Sequence, residues 1–253
     1  MRHLKILAVA LTLSAAIGPA VAAPQVPTIA AAVAASDRNA DNVKMDAGRK
    51  PAEVLQFLGL KPGMHVLDLF GGNRYWAEII APAVGASGTE TVWGPTQGVP
   101  EKMKSAFAAF VAKQPNANLV LTPLQSPDFG INRYDFAIFN LNYHDLYGDY
   151  SKRGIPQIEP REWLKALYKA MKPGGVVGVI DHVANPGDTR ATANSLHRIN
   201  PETLKADFES VGFVLAGTSD LLRNKADDHT LIVYDPKIRG MTDRVVLKFR
   251  KLR

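Results

Sequence analysis

The residues best suited to chemistry lie where three apolar segments of the sequence end. Residues 65–70 contain Asp68 and lead into Gly71 and Gly72. Residues 134–140 lead into a polar stretch, and residues 176–181 end in an acid that is followed by a histidine. These ends supply the remaining candidates for a functional site: Asn140, Asn142, His144, Asp145, Asp181 and His182.

Each candidate can be interpreted as having a chemical role or a purely structural role. The pair Gly71–Gly72 lets the backbone turn tightly and approach a ligand, and a helix that starts after it favours an anion at its N-terminus. His144 beside Asp145 is suited to take up a proton, and His182 is a further candidate base. The alternatives are that the glycines only form a turn, that Asp145 caps a helix, and that the histidines pack or face solvent.

Hydrophobic periodicity predicts the elements that must position these residues. Apolar residues with helical spacing alternate with short continuous apolar runs, the pattern of helices between buried parallel strands. A helix is predicted to start at Pro51 and to be stopped by Gly59, and Lys172–Gly175 is predicted to form a turn. The predicted strands are residues 65–70, 89–93, 118–122, 134–140, 176–181, 213–218 and 245–249.

This alternation predicts a doubly wound α/β domain, with helices on both faces of a mostly parallel sheet. The last two strands lack a helix of ordinary length between them, so we expect a hairpin-like finish with one antiparallel strand. Ligands of such sheets bind beyond the carboxyl ends of the strands, near the switch in strand order. We therefore expect Asp68, Gly71 and Gly72 to line one pocket with Asn140, Asn142 and His144.

Composition excludes several classes of protein. The 253 residues are 46% hydrophobic and 21% charged, which is typical of a globular chain. The chain has no cysteine, so disulfides, thiolate metal sites and cysteine nucleophiles are excluded. Its net charge of +6 comes from basic residues that are mostly scattered, so nucleic acid is not an expected partner. A small-molecule substrate is the expected partner.

The N-terminus predicts export. A short basic stretch, an apolar core over residues 6–13 and the motif Ala20-Val21-Ala22 are the three parts of a secretory signal peptide. We predict a signal peptide at residues 1–23, a linker rich in alanine and proline at 24–35, and a single domain at 36–253. The mature protein is then expected in a bacterial periplasm, without a stable membrane anchor.

The sequence resembles the class I S-adenosylmethionine-dependent methyltransferases, in particular an exported bacterial group of predicted methyltransferases. Five stretches carry the resemblance: KPGMHVLDLFGGNRYWAEIIA (61–81), FNLNYHDLY (139–147), MKPGGVVGVIDH (171–182), HRINPETLKADFESVGF (197–213) and the ending SDLLRN…DHT…VYDPKIRGMTDRVVLKFRK (219–251). The resemblance implies a class I methyltransferase fold, a Rossmann-like sheet of seven strands with the last antiparallel. It also implies S-adenosylmethionine as the cofactor, bound by Asp68, Gly71, Gly72, Asn140 and Asn142, with no metal.

The chain departs from that family's pattern at two places. Phe70 occupies the first glycine position of the loop, which brings bulk to a point of close approach between backbone and ligand. The second strand ends in Val92-Trp93-Gly94-Pro95, without the acid that holds the ribose. Glu90 lies too early and Glu101 falls within the next helix. Trp93 is a candidate to stack on the adenine, and its alternative role is core packing.

Four functions follow from these observations. The first is a methyltransferase in which His144, Asp145 or His182 accepts a proton from the methyl acceptor. The second is a non-catalytic binding protein on the same fold, since fold does not fix function. A nicotinamide dehydrogenase lacks its glycine pattern here. A metal-dependent hydrolase could use His144, Asp145, Asp181 and His182, although no familiar metal motif is present.

Overall fold

The computed structural model describes residues 26–97 and 99–253, so the predicted signal peptide lies outside the described residues. A single mixed sheet contains seven strands in the order β3-β2-β1-β4-β5-β7-β6. The strands are β1 His65–Leu69, β2 Thr89–Pro95, β3 Ala117–Thr122, β4 Tyr134–Asn140, β5 Met171–His182, β6 Phe213–Ser219 and β7 Arg244–Lys251.

Strand order and direction confirm the predicted sheet. β1 pairs in parallel with both β2 and β4, so the order of strands reverses on either side of β1. β4 and β5 are also parallel, whereas β7 lies antiparallel between β5 and β6. The switch between β1 and β4 is where this architecture creates a crevice for a ligand.

Helices cover both faces of the sheet. They are α1 Ile29–Val33, α2 Ala40–Lys44, α3 Asp46–Arg49, α4 Pro51–Leu58, α5 Ala77–Val84, α6 Glu101–Lys113, α7 Pro160–Ala170, α8 Thr189–Leu196 and α9 Pro201–Ser210. Alternate strand residues face opposite sides. Leu67 and Phe139 therefore pack with α7 and α9, while Val66 and Ile138 pack with α4 and α5.

Local signals explain where these helices begin and end. Pro51 stands at the first position of α4, where its missing N–H costs nothing, and Gly59 ends the helix with φ +89°. Pro160 and Pro201 begin α7 and α9 in the same way. The predicted helix at residues 51–58 is confirmed to the residue.

The predicted linker at residues 24–35 is wrong in its described part. Residues 29–33 form α1, which Thr28 caps through its side chain, and Ala32 is almost fully buried. Ile29 and Val33 pack against the apolar cluster of α4 and α5. The alanine-rich sequence suggested a linker because a helix this short shows no hydrophobic periodicity. The stability of α1 comes from its packing against the rest of the domain.

Two further boundaries differ from the predictions. The predicted turn at 172–175 lies within β5, where the pairing with β4 shifts between Tyr134 and Phe136 and the extra residues bulge. The last two strands are antiparallel as expected, but residues 220–243 form a long connection between them instead of a hairpin turn.

Within the described residues, no helix is both long enough and apolar enough to cross a membrane.

Candidate functional site

A cavity of about 330 Å³ lies at the carboxyl ends of β1 and β4. Its walls include six of the predicted site residues: Asp68, Gly71, Gly72, Asn140, Asn142 and His144. A neighbouring cavity of about 550 Å³ shares part of its wall, including Arg49, His182 and Tyr234. The expected pocket therefore exists, and it continues towards the end of β5.

The loop after β1 approaches the cavity closely. A Cβ atom on Gly71 would overlap the carboxyl group of Asp68, and one on Gly72 would lie 2.6 Å from the Sδ atom of Met103. Gly71 has no room for a side chain, whereas at Gly72 the flexible end of Met103 would have to move, so the backbone forms this wall of the cavity.

Phe70 keeps the backbone conformation that a glycine would adopt at this loop. Its φ is +59°, in the left-handed region. Its ring packs edge-on against Trp93, with the centroids 4.9 Å apart, and also stacks near Trp163. The bulk expected to obstruct the cavity is thus largely taken up by the aromatic core, although Phe70 still forms part of the cavity wall.

Asp68 is a buried carboxyl group without a partner. The side chain is 1% exposed, and neither oxygen accepts a hydrogen bond from any described residue. Burial raises the pKa of Asp68 to about 8, and the nearby guanidinium of Arg49 only partly opposes this effect. A buried carboxyl group in this condition is suited to a ligand that brings a cation or a hydrogen-bond donor.

The segment after β4 positions several side chains at once. Asn142 donates to the carbonyl oxygen of Leu69 at 3.2 Å and so ties the end of β4 to the end of β1. Its own oxygen is buried and has no partner among the described residues. The hydroxyl groups of Tyr143 and Tyr147 both donate to Asp207 on α9, which fixes the segment against the helix layer.

His144 is oriented by Asp181 at the end of β5. The imidazole Nδ1 lies 2.8 Å from Asp181 Oδ1, and the backbone N–H of His144 donates to Oδ2 at 2.9 Å. Burial lowers the pKa of His144, but the carboxylates of Asp181 and Asp145 outweigh this effect, and the net pKa is raised. Nε2 is left free to face Asp145, 3.5 Å away.

His182 occupies the cavity wall but is a poor proton acceptor. Its Nδ1 lies 2.7 Å from the hydroxyl of Thr242. Burial lowers the pKa of His182 to about 3, so the ring is neutral at neutral pH and binds a proton weakly. The prediction that it serves as a base is therefore not supported by its surroundings, and the solvent-facing alternative is wrong because the residue is buried.

Trp93 belongs to the core and not to the cavity. Its side chain is fully buried, and the indole N–H donates to the hydroxyl of Thr122 at 2.8 Å. The ring contacts Phe70, Phe129 and Trp163 edge-on. The predicted stacking on a ligand's adenine is wrong, because a strand residue that points into the helix layer cannot also reach the sheet edge.

The described end of β2 carries no acidic side chain that could hold a ribose. Glu90 lies at the opposite, amino-terminal end of the strand, paired with Val66 and Ala117. The described residues that follow β2, Thr96 and Gln97, carry no charge, and Gln97 is engaged with Leu124 and Gln125.

Three residues at the site went unpredicted. Arg49 comes from α3, where nothing in the sequence marks it, and its guanidinium stacks 4.2 Å from the centre of the Tyr75 ring. His197 stands at the end of α8 and faces Asp145. Tyr234 comes from the long connection after β6 and packs on His197. Of these, His197 and Tyr234 lie in stretches that carried the family resemblance, which was an available signal.

No family model matches the sequence, and no curated protein matches it. Solved structures do match. A methyltransferase from Aquifex aeolicus, described as S-adenosylmethionine-dependent, superposes with a TM-score of 0.58 at 16% identity, over 85% of this chain and 94% of that one. The fold is that of class I methyltransferases.

Two other similar structures show what this fold can carry. A 1,6-didemethyltoxoflavin-N1-methyltransferase from Burkholderia thailandensis, solved with S-adenosylhomocysteine, has a TM-score of 0.53 at 16% identity, over 84% of this chain and 80% of that one. The cyclase SpnF has a TM-score of 0.60 at 16% identity, over 86% and 85% of the two chains. A methyltransferase fold therefore does not by itself fix the reaction.

Proposed function

We propose that this chain is an S-adenosylmethionine-dependent methyltransferase that acts on a small molecule. The observation that carries the proposal is the unpartnered carboxyl group of Asp68, buried in the cavity wall beside Gly71, which has no room for a side chain, and Gly72. S-adenosylmethionine has a free ammonium group and, when bound, supplies an electrophilic methyl group on a positively charged sulfur. The carboxyl group lacks the kind of partner that such a ligand provides.

The residues of the cavity fit the amino-acid part of this cofactor. Asp68 would accept from its ammonium group, and the backbone of Gly71 and Gly72 allows close approach. Arg49 would bind its carboxylate, since the guanidinium lines the cavity and donates no hydrogen bond to any described residue. The unpartnered oxygen of Asn142 is a further acceptor.

The fit is incomplete at the ribose. A carboxylate that accepts from both ribose hydroxyls would add two charge-assisted hydrogen bonds, each about 1.5–3 kcal/mol. The described end of β2 offers no such group. We therefore expect the cofactor to bind weakly, with a dissociation constant above the submicromolar range.

The methyl acceptor would lie at the His144 end of the cavity. Methyl transfer depends mainly on alignment and on the exclusion of water. Of the three predicted bases, His144 is the best placed to take the acceptor's proton, because Asp181 holds Nδ1 and leaves Nε2 free. Asp145 lies next to that nitrogen and would stabilise the imidazolium.

We further propose that the protein works outside the cytoplasm, because its first residues have the three parts of a signal peptide. The alternative function is a non-catalytic binding protein on the same fold. The uncharged end of β2 and Met103, whose side chain packs on Gly72, favour that alternative.

Calorimetric titration of residues 24–253 with S-adenosylmethionine and S-adenosylhomocysteine tests the proposal. We expect weak but saturable binding, and a loss of about tenfold or more in Asp68→Asn, because a charge-assisted hydrogen bond is removed. Asp135→Asn is the matched control. That carboxylate pairs with Lys172 at the amino-terminal ends of β4 and β5, away from the cavity. Absence of binding of either ligand to a folded protein would overturn the methyltransferase proposal and leave the binding protein.

A further inference from the structure

Three polar side chains converge beside the cavity: His144, Asp145 and His197. One potential ligand atom from each lies within 4.8 Å of the other two. We propose that these side chains bind a divalent first-row transition-metal ion. Two imidazoles and one carboxylate are a donor set suited to such ions, and they leave coordination positions open for water or substrate.

The distances between the three potential ligand atoms are slightly longer than those expected around a bound ion. His144 Nε2 lies 3.5 Å from Asp145 Oδ1, and His197 Nδ1 lies 3.9 Å from the same oxygen. Ligand atoms about 2.0–2.1 Å from a tetrahedral zinc ion lie about 3.3 Å from one another. Asp145 and His197 are each about one-third exposed, at 34% and 32%, so their side chains are free to make this small adjustment.

Asp181 provides the outer partner that metal-binding histidines commonly have. It accepts from Nδ1 of His144, which fixes the ring and leaves the lone pair of Nε2 free beside Asp145, 3.5 Å away. A carboxylate behind a histidine ligand raises its basicity and sets its tautomer. Asp181 is itself fully buried and also accepts from the backbone N–H groups of His144 and His182, so its position is fixed.

His197 has one feature that its packing leaves unexplained. Its Nδ1 atom is buried and has no hydrogen-bond partner among the described residues. Its backbone, with φ +55°, ends α8 in the left-handed conformation common at helix C-termini, and the ring lies beside Asp145. A metal ion would give Nδ1 its missing partner.

The charges around the cluster complement a divalent cation. Two carboxylates, Asp145 and Asp181, surround two imidazoles that are neutral once they act as ligands. The exposed edges of Asp145 and His197 provide an entry path for the ion, while His144 connects the cluster to the cavity wall.

A bound ion would change how the acceptor is activated. It would take the lone pair of His144 Nε2 and would itself lower the pKa of an acceptor hydroxyl bound at an open position. The imidazole would then no longer take the acceptor's proton, and the proton of the hydroxyl that the ion acidifies would leave to solvent water. Metal binding itself does not depend on the cofactor, so it can fail or succeed independently of the proposed methyl transfer.

Titration of the untagged protein with Zn²⁺, without cofactor, tests the proposal by calorimetry. Co²⁺ is a second probe, because its visible absorption bands report the geometry of its ligands. We expect one ion per chain, and at least tenfold weaker Zn²⁺ binding in His197→Ala and in Asp145→Asn. Asp181→Asn should weaken binding by about 10- to 100-fold, the usual effect of removing an outer partner.

The matched control is His65→Gln. His65 is the first residue of β1, at the end of the strand away from the cluster, and its Nδ1 contacts the hydroxyl of Thr89. Zn²⁺ binding should be unchanged in this variant. Thermal unfolding of each variant without metal establishes that it is folded. A wild-type protein that binds neither ion at tens of micromolar, or folded His197→Ala and Asp145→Asn variants that bind like wild type, would overturn the proposal.

Discussion

Two buried carboxyl groups without partners, Asp68 and Glu90, lie on neighbouring strands. Both side chains are almost completely buried, and none of their oxygens accepts a hydrogen bond from a described residue. Burial raises the pKa of both groups, and the proximity of Asp68 raises that of Glu90 further. Asp68 has a use in the proposed site, whereas Glu90 does not line the cavity. Glu90 should therefore cost stability without contributing to binding.

The pH dependence of this cost gives the first prediction. Between its ordinary pKa of 4.5 and its raised folded pKa, Glu90 binds a proton in the folded chain but not in the unfolded chain. The free energy of unfolding therefore falls as pH rises through this range. We expect Glu90→Gln to raise the free energy of unfolding at about pH 8 by about 1 kcal/mol or more, since one pKa unit corresponds to about 1.4 kcal/mol.

Urea unfolding of both proteins across this pH range measures the effect. The advantage of Glu90→Gln should shrink as pH falls and vanish below about pH 4, where the carboxyl group is protonated in both states. Glu53→Gln, at an exposed position on α4, serves as the control. A difference that stays constant with pH would mean that Glu90 does not titrate as proposed.

Single residues show how far a sequence can locate a site. The positions of Asp68, Gly71, Asn142 and His144 at strand ends were sufficient to place them together, because the ends of parallel strands share one edge. The face of the sheet to which Trp93 points was not predictable. Successive side chains of a strand point to opposite faces, and in an apolar run the sequence does not show which face each residue takes. His197 joins the site only because a left-handed turn at the end of α8 brings it there.

At the scale of elements, the loop after β1 has two non-glycine residues in left-handed conformations. Phe70 has φ +59° and Arg74 has φ +61°. Each conformation costs about 1–2 kcal/mol for a residue with a side chain. The two residues differ in what offsets this cost, because only the ring of Phe70 packs in the aromatic cluster with Trp93, Phe139 and Trp163.

Glycine substitutions should separate these two effects. Phe70→Gly relieves backbone strain but removes aromatic packing, which is worth more, so we expect the free energy of unfolding to fall by about 2 kcal/mol. Arg74→Gly relieves strain without a comparable loss of packing, and its stability should equal or slightly exceed that of wild type. Chemical denaturation measures both. A more stable Phe70→Gly variant would show that the phenylalanine obstructs the loop.

The helices and strands that could be predicted from the sequence were those with clear local signals. Prolines and glycines mark the ends of α4, α7 and α9, and continuous apolar runs mark the central strands. The connection at residues 220–243 contains an apolar run, residues 231–234, followed by Pro236 and Gly240, yet it forms neither a strand nor a helix. It is held by tertiary contacts, chiefly the buried ion pair of Arg198 with Asp227 and the contacts of Arg223 and His229 with Asp243. Such long-range contacts leave no local pattern to read.

At the scale of the whole molecule, α1 belongs to the folded domain although it precedes residue 36. The boundary expected at residue 36 followed from composition, which cannot show that a short alanine-rich helix packs on a distant surface. Arg38 fixes the segment from its far side, donating to the carbonyl oxygen of Val33 at 2.6 Å and pairing with Asp46. α1 therefore closes the face formed by α4 and α5.

Removal of this segment tests where the domain begins. A chain that starts at residue 36 loses α1 and exposes the apolar surface that Ile29, Ala32 and Val33 cover. We expect its free energy of unfolding to be about 2–4 kcal/mol lower than that of a chain that starts at residue 26, because burying each aliphatic side chain contributes about 1–3 kcal/mol. The cavity lies at the sheet edge and includes no residue of α1, so ligand affinity of the folded fraction should be unchanged. Equal unfolding midpoints for the two chains in a calorimetric scan would restore the linker interpretation for residues 26–35.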